Sequence, residues 1–180
     1  MTKPRPGETT RRVWLARAAH VATAAAVGLP RLAGAAHIVK SWPAGKAVPA
    51  LSLPDLDDKL WTLAAFKGRP VILNFWATWC EPCRAEMPSL QALARREGRR
   101  GLAVLSVNYE ESAAAIRRFL DTVPIALPIL LDRDGEAAAA WTPRVFPTSV
   151  LIDRRGMPRT SVLGELDWNG ADARALIGAL

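Results

Sequence analysis

The stretch that decides the fold is Val71-Ile72-Leu73-Asn74-Phe75-Trp76-Ala77-Thr78-Trp79-Cys80-Glu81-Pro82-Cys83-Arg84-Ala85-Glu86-Met87-Pro88. Its first six residues form a nearly continuous apolar run, the pattern of a strand covered on both faces. From Pro82 to about Arg96 the period becomes helical. Met87, Leu90 and Ala94 share one face, and Arg84, Gln91 and Arg95 lie elsewhere. Cys80 and Cys83 therefore sit where a buried strand hands over to a helix. A helix N-terminus offers unpaired N–H groups and partial positive charge, which stabilise a thiolate and lower the pKa of the first cysteine. The two-residue spacing brings the second sulfur back within disulfide reach. Pro82 suits an opening turn, where the N–H it lacks has no partner to lose.

Outward from this block, strands and helices alternate. Leu102 to Val107 reads as a second buried strand and Ser112 to Leu120 as a helix with Ile116, Phe119 and Leu120 inward. Ile129-Leu130-Leu131 is a short apolar run followed by turn chemistry at Asp132-Arg133-Asp134-Gly135. Glu136 to Trp141 is a predicted helix. Thr148–Asp153 and Arg159–Leu163 flank Arg154-Arg155-Gly156 as a predicted hairpin, and Ala171 to Leu180 is a closing helix. Upstream, Leu51-Ser52-Leu53 and Leu60-Trp61-Thr62-Leu63 alternate around Asp57-Asp58, which predicts a short hairpin. His37 to Pro49 shows no clear periodicity and reads as a lead-in. With no repeat and no second shift of composition, one α/β domain with a mixed sheet is expected.

Composition narrows the chemistry. The chain has 180 residues and a formal charge of +7, but residues 1–35 hold six basic side chains and one acidic, against 18 and 16 in the remainder. The excess belongs to the N-terminus, so it does not point to a nucleic-acid surface on the domain. Histidine occurs only at His20 and His37, which excludes a Ser-His-Asp or Cys-His site and a histidine-rich metal site in the body of the domain. Cys80 and Cys83 are the only cysteines, too few for a Cys₄ zinc site. Arg84 stands where haem attachment requires histidine. A purely structural bridge over so short a loop would stabilise little. Redox chemistry of the dithiol is the reading that remains, with neither cofactor nor metal expected.

The N-terminal segment has the layout of an export signal. A polar, basic start ends in Thr10-Arg11-Arg12-Val13-Trp14-Leu15, a weakly apolar stretch runs from Ala18 to Leu29, and Ala33-Gly34-Ala35 offers small residues for cleavage. The first run is similar to the twin-arginine signal, with Trp14 in place of phenylalanine. Arg17 and His20 interrupt the apolar stretch, which counts against a membrane-spanning helix. Residues 1–35 are expected to be the signal and 36–48 the lead-in, with a domain over 49–180. A soluble periplasmic or otherwise exported protein is expected after cleavage at Ala35 or Ala36. The alternatives are a membrane anchor left uncleaved, or a basic tail on a cytosolic protein.

The block from Gly68 to Pro88 resembles the active-site block of thioredoxin-fold proteins, more narrowly the exported TlpA/ResA-like thiol–disulfide oxidoreductases. Similar stretches follow at Leu127-Pro128-Ile129-Leu130-Leu131-Asp132 and at Phe146-Pro147-Thr148-Ser149-Val150-Leu151-Ile152-Asp153 with Gly156, so the resemblance spans roughly residues 49–180. It implies a thioredoxin-like fold: a mixed central sheet with helices on both faces, an N-terminal hairpin, and an extra strand-helix segment between about Glu111 and Trp141. It also implies that Cys80 is the nucleophile, Cys83 the resolving thiol, and Pro147 a cis-proline facing the disulfide. Trp79 would flank the sulfurs, and Pro88 would kink the first helix. The implied partners are substrate protein disulfides and a membrane thiol-electron donor. The implied clients are apocytochrome c cysteines or a copper-site protein of the respiratory oxidase, served by a monomer.

Two departures from that family bear on the site. Cytosolic thioredoxins carry a buried aspartate on the strand before the motif, where this chain has Asn74. Glu86, three residues after Cys83 on the same helix, is the nearest replacement as an acid/base group. Glu81 places a negative charge beside Cys80 and opposes its thiolate. In the cis-proline loop, Pro143 and Val145 stand where valine and glycine are common. Two other readings remain open. A peroxiredoxin shares the fold, but its threonine three places before the cysteine is here Ala77, with Thr78 one place late. A Cu(I)-delivery module could use both thiolates, though no histidine is near and methionine occurs only at Met1, Met87 and Met157.

Overall fold

The computed structural model describes residues 37–180. In chain order the strands are β1 (His37–Ser41), β2 (Ser52–Pro54), β3 (Leu60–Thr62), β4 (Val71–Trp76), β5 (Ala103–Tyr109), β6 (Ile129–Asp132), β7 (Thr148–Ile152) and β8 (Pro158–Gly164). The helices are α1 (Glu81–Gly98), α2 (Ala113–Leu120), α3 (Glu136–Trp141) and α4 (Ala171–Gly178), with a 3₁₀ turn over Leu63–Phe66. One six-stranded sheet has the order β1-β8-β7-β4-β5-β6, and β2 pairs with β3 as a separate hairpin.

The apolar run of β4 makes it the centre of this sheet: every residue from Val71 to Trp76 is buried. Because side chains alternate across a strand, the run feeds two cores. Ile72 and Trp76 join Met87, Leu90 and Leu93 of α1, Ile116 of α2 and Ala173 of α4. Val71, Leu73 and Phe75 join Ala138 and Trp141 of α3, with Leu51 and the half-buried Trp61 of the hairpin region. The result is an α/β fold with helices on both faces of a mixed sheet.

Topology places the site. β4 is parallel to β5, and β5 to β6, so α1 and α2 are crossover helices and the C-terminal ends of these strands share one edge. β7 runs antiparallel to β4 and brings its first residue, Thr148, opposite Phe75 at that edge. Side-chain caps fix the helix starts. Ser112 Oγ accepts from the Ala115 N–H at 3.2 Å, and Asp132 accepts from the Ala137 and Ala138 N–H groups at 3.0 and 2.8 Å. Gly135 precedes α3 at φ +71°, where a Cβ would collide with Glu110 and Tyr109. Only glycine fits there.

One segment differs from expectation. The lead-in contains β1, which pairs antiparallel with β8 from His37↔Gly164 to Ser41↔Thr160. This edge strand is held by backbone bonds and leaves Ile38 and Val39 59% and 48% exposed, so no buried face imposes a pattern on its sequence. The sheet therefore begins well before residue 49. The expected signal over residues 1–35 lies outside the described residues. Among the described residues, no helix is long and apolar enough to cross a membrane.

Candidate active site

Cys80 is the N-cap of α1, with extended backbone angles, and its Sγ accepts from the Cys83 N–H at 3.3 Å. The two cysteines are joined as a disulfide with their Cα atoms 5.3 Å apart. Their environments differ. Cys83 is fully buried, whereas Cys80 keeps 6% of its surface exposed. Pro82 lies in the first turn and Glu81 is exposed beside the disulfide, at the helix end where negative charge is favourable to the helix itself.

Trp79, immediately before Cys80, is 64% exposed. Its ring meets Phe146 edge-on at 6.2 Å between centroids, and Phe146 in turn lies 4.8 Å from Tyr109. The Phe146–Pro147 bond is cis. Pro147 is buried, and its carbonyl accepts from the Gly164 N–H at 2.8 Å. Phe146 packs against both core clusters, one of which contains the two cysteines, and its contact with Trp79 links the cis-proline loop to the residue before Cys80. Pro143, Arg144 and Val145 are exposed beside it, and Arg144 adopts a left-handed backbone conformation at φ +58°.

One helical turn after Cys83, α1 carries a buried carboxylate whose hydrogen-bond partners are all neutral. Glu86 is only 2% exposed. Its Oε1 accepts from Asn74 Nδ2 at 2.7 Å, and its Oε2 accepts from the Leu166 N–H at 3.2 Å and from Trp168 Nε1 at 3.4 Å. Burial disfavours the ionised form and lifts the carboxyl from the ordinary 4.5 to about 7. The Leu166, Asn74 and Trp168 donors oppose that rise, while the nearby charge of Glu165 adds to it. Asn74 also donates to Ser149 Oγ at 3.0 Å, which ties β4 to α1 and β7. The residue that departs from the aspartate pattern is therefore one of the three donors that orient Glu86.

A second carboxylate was not legible as part of the site. Glu111 accepts from the Thr78 N–H, the Thr78 hydroxyl and Asn108 Nδ2. Its signal in the sequence is faint: an acid three residues after an asparagine at a strand end. Trp168 and Ser149, both partners in the Glu86 network, carry no local signal at all. Among the described residues, no group of three or more His, Cys, Asp or Glu side chains converges as a metal site. A cavity of about 530 Å³ opens at the far end of α1 beside Arg96, Arg100, Arg154 and Arg174. That cavity is lined by neither cysteine; the residue before Cys80, the aromatic Trp79, stands exposed.

Comparison with known proteins agrees with this arrangement. The AhpC/TSA family model matches residues 44–159. The thiol–disulfide oxidoreductase ResA of Bacillus thuringiensis subsp. konkukian is 34% identical over 121 residues, covering 67% of this chain and 70% of that protein. The thioredoxin-like protein YneN of Bacillus subtilis is 40% identical over 116 residues, covering 63% and 67%. Among solved structures, a putative thiol:disulfide interchange protein DsbE from Chlorobium tepidum superposes with a TM-score of 0.67 at 28% identity, over 73% of this chain and 92% of that one. With the fold, the paired cysteines and these relatives in agreement, the chain belongs to the AhpC/TSA family of thioredoxin-like proteins and, within it, to the thiol–disulfide oxidoreductases of the ResA type.

Proposed function

We propose that this oxidoreductase acts outside the cytoplasm as a reductase of protein disulfides, with Cys80 as nucleophile and Cys83 as resolving thiol. The observation that carries the assignment of roles is the asymmetry of the pair. Cys80 caps the helix N-terminus and keeps a small exposed area, while Cys83 is fully buried a turn further on. In the dithiol form, the helix end stabilises the Cys80 thiolate. That thiolate attacks one sulfur of a substrate disulfide, the substrate S–S bond breaks, and the displaced substrate thiolate takes up a proton. The Cys83 thiol then loses its proton and attacks Cys80 Sγ. This releases the second substrate thiol and leaves the Cys80–Cys83 disulfide, so two electrons and two protons have passed to the substrate.

Glu86 is the group we assign to the Cys83 proton. It lies three residues after Cys83 on α1, with a pKa raised to about 7 by burial, so it can hold or release a proton near neutral pH. Trp79 and the Phe146–Pro147 loop form the docking surface for an extended client segment, and Glu81 restrains thiolate formation at Cys80. The signal-like residues 1–35 support export. Recharging in an oxidising compartment then requires a membrane thiol-electron donor. The resemblance to the ResA type favours apocytochrome c cysteines or a respiratory copper-site protein as clients.

The test is Cys83→Ser. With resolution blocked, a disulfide-bonded client should accumulate as a mixed disulfide on Cys80, visible as a reductant-sensitive adduct. No adduct with any disulfide substrate, together with peroxide consumption by the wild type, would transfer the assignment to a peroxidase.

A further inference from the structure

Glu111 lies on the connection between β5 and α2, outside every role assigned above, and is partly buried. Three donors converge on its carboxylate. The Thr78 N–H reaches Oε2 at 2.7 Å, the Thr78 hydroxyl reaches Oε1 at 2.5 Å, and Asn108 Nδ2 reaches Oε2 at 2.8 Å. Thr78 is inside the turn that delivers the nucleophile, closed by the Cys80 N–H to the Ala77 carbonyl at 3.2 Å. Trp79 stands at the exposed side of that turn. One carboxylate, carried by another strand's end, thus binds both polar groups of the residue two places before Cys80.

From this we infer that Glu111 is a positioning residue for exchange at Cys80: it clamps the Ala77–Cys80 turn and so holds the nucleophilic sulfur in register with Cys83. The inference rests on the reading of Cys80 and Cys83 as the redox pair. The Thr78 N–H and Asn108 Nδ2 share one oxygen, and the Thr78 hydroxyl faces the other. Glu111→Gln can keep the geometry, its amide oxygen accepting from the Thr78 N–H and Asn108 and its N–H₂ donating to the Thr78 hydroxyl, but it replaces three charge-assisted bonds with neutral ones. Charge-assisted bonds of this kind are also roughly twice as strong as neutral ones.

The clamp acts on a measurable equilibrium. Reduction of the Cys80–Cys83 disulfide by a dithiol reagent transfers two electrons and two protons, giving the protein dithiol and the reagent's cyclic disulfide. Holding the turn raises the effective concentration of one sulfur at the other, and so favours the disulfide. The negative charge of Glu111 near the turn disfavours the Cys80 thiolate, which works in the same direction. Removing it should therefore make the protein easier to reduce.

The experiment equilibrates the whole chain with dithiothreitol and reads the redox state by alkylation, alongside the pH profile of Cys80 alkylation and thermal stability. Glu111→Gln should shift the equilibrium toward the dithiol by about threefold or more and move the Cys80 profile to lower pH. Thr78→Val, which loses only the hydroxyl bond, should shift the same equilibrium by less. The double variant should move little beyond Glu111→Gln, because the threonine acts through the same carboxylate. Wild-type redox equilibrium and pH profile in Glu111→Gln, with only the melting temperature lowered, would overturn the proposal. Should that variant fail to fold, an unmoved equilibrium in Thr78→Val would overturn it equally. A wild type with no reversible couple would instead defeat the reading of the dithiol itself.

Discussion

Of the three acids on helix α1, Glu86 in its first half and Glu97 near its C-terminus behave differently. Glu86 is buried against Asn74, Leu166 and Trp168, all neutral donors, and its carboxyl is raised to about 7. Glu97 lies between Arg96 and Arg100, and hydrogen bonds from those guanidinium groups hold its carboxyl below the ordinary 4.5. The residue type is the same and so is the helix. The difference lies in surroundings: Glu86 is buried among neutral donors, whereas Glu97 is only partly buried and faces two guanidinium groups. A paired acid is a structural charge, whereas a buried acid with neutral donors is a proton reservoir near neutral pH.

Removing the ionisable group from each acid in turn separates their roles. Glu86→Gln keeps an acceptor for part of the network but cannot titrate. It should slow turnover of a protein disulfide by about 100-fold, the scale of general acid–base catalysis, and erase any inflection near pH 7. Steady-state rates across pH 5 to 9 check this.

The same substitution also changes how stability depends on pH. The folded pKa of Glu86 exceeds the unfolded value near 4.5, so between those limits the folded state binds more protons than the unfolded one. Stability of the wild type relative to Glu86→Gln should therefore fall as pH rises from about 4.5 to about 7 and then level off. The change should be of the order of 3 kcal/mol. Denaturant titrations at several pH values measure it.

Asp153 gives the opposite slope. It accepts from the Arg155 and Met157 N–H groups at 2.8 and 3.0 Å and from Arg159 Nε at 2.7 Å. Its carboxyl lies below the ordinary 3.8 because these bonds, together with the Arg159 charge, outweigh the upward pull of burial. Its contribution is present above about pH 4 and is lost as pH falls through its folded pKa. Asp153→Asn should destabilise by about 1–2 kcal/mol at pH 7 and by less at pH 3. The smallest effect belongs to Glu97→Gln, which should cost below about 1 kcal/mol and leave turnover unchanged, since exposed pairs contribute little.

How much of this was legible in the sequence depends on the range of the interactions involved. The six-residue apolar run of β4 and the helical period of α1 are local, and both elements stand where the pattern predicts them. The spacing from Cys83 to Glu86 is local too, which is why Glu86 could be singled out. Its burial could not, because Asn74, Leu166 and Trp168 lie 12, 80 and 82 residues away in the chain. The Glu111–Thr78 clamp spans 33 residues and was missed for the same reason. Strand β1 failed differently. Its pairing with β8 runs through the backbone, and its exposed Ile38 and Val39 leave no periodicity to read.

The central claim is that Cys80 and Cys83 form a reversible redox pair whose proton is governed by Glu86. The most direct measurement is the redox equilibrium of the wild type and Glu86→Gln with dithiothreitol, followed as a function of pH. The account predicts a reversible two-electron transition in both proteins, with a break in pH dependence near 7 in the wild type that disappears in Glu86→Gln. The absence of a reversible transition, or the same break in both proteins, would contradict it.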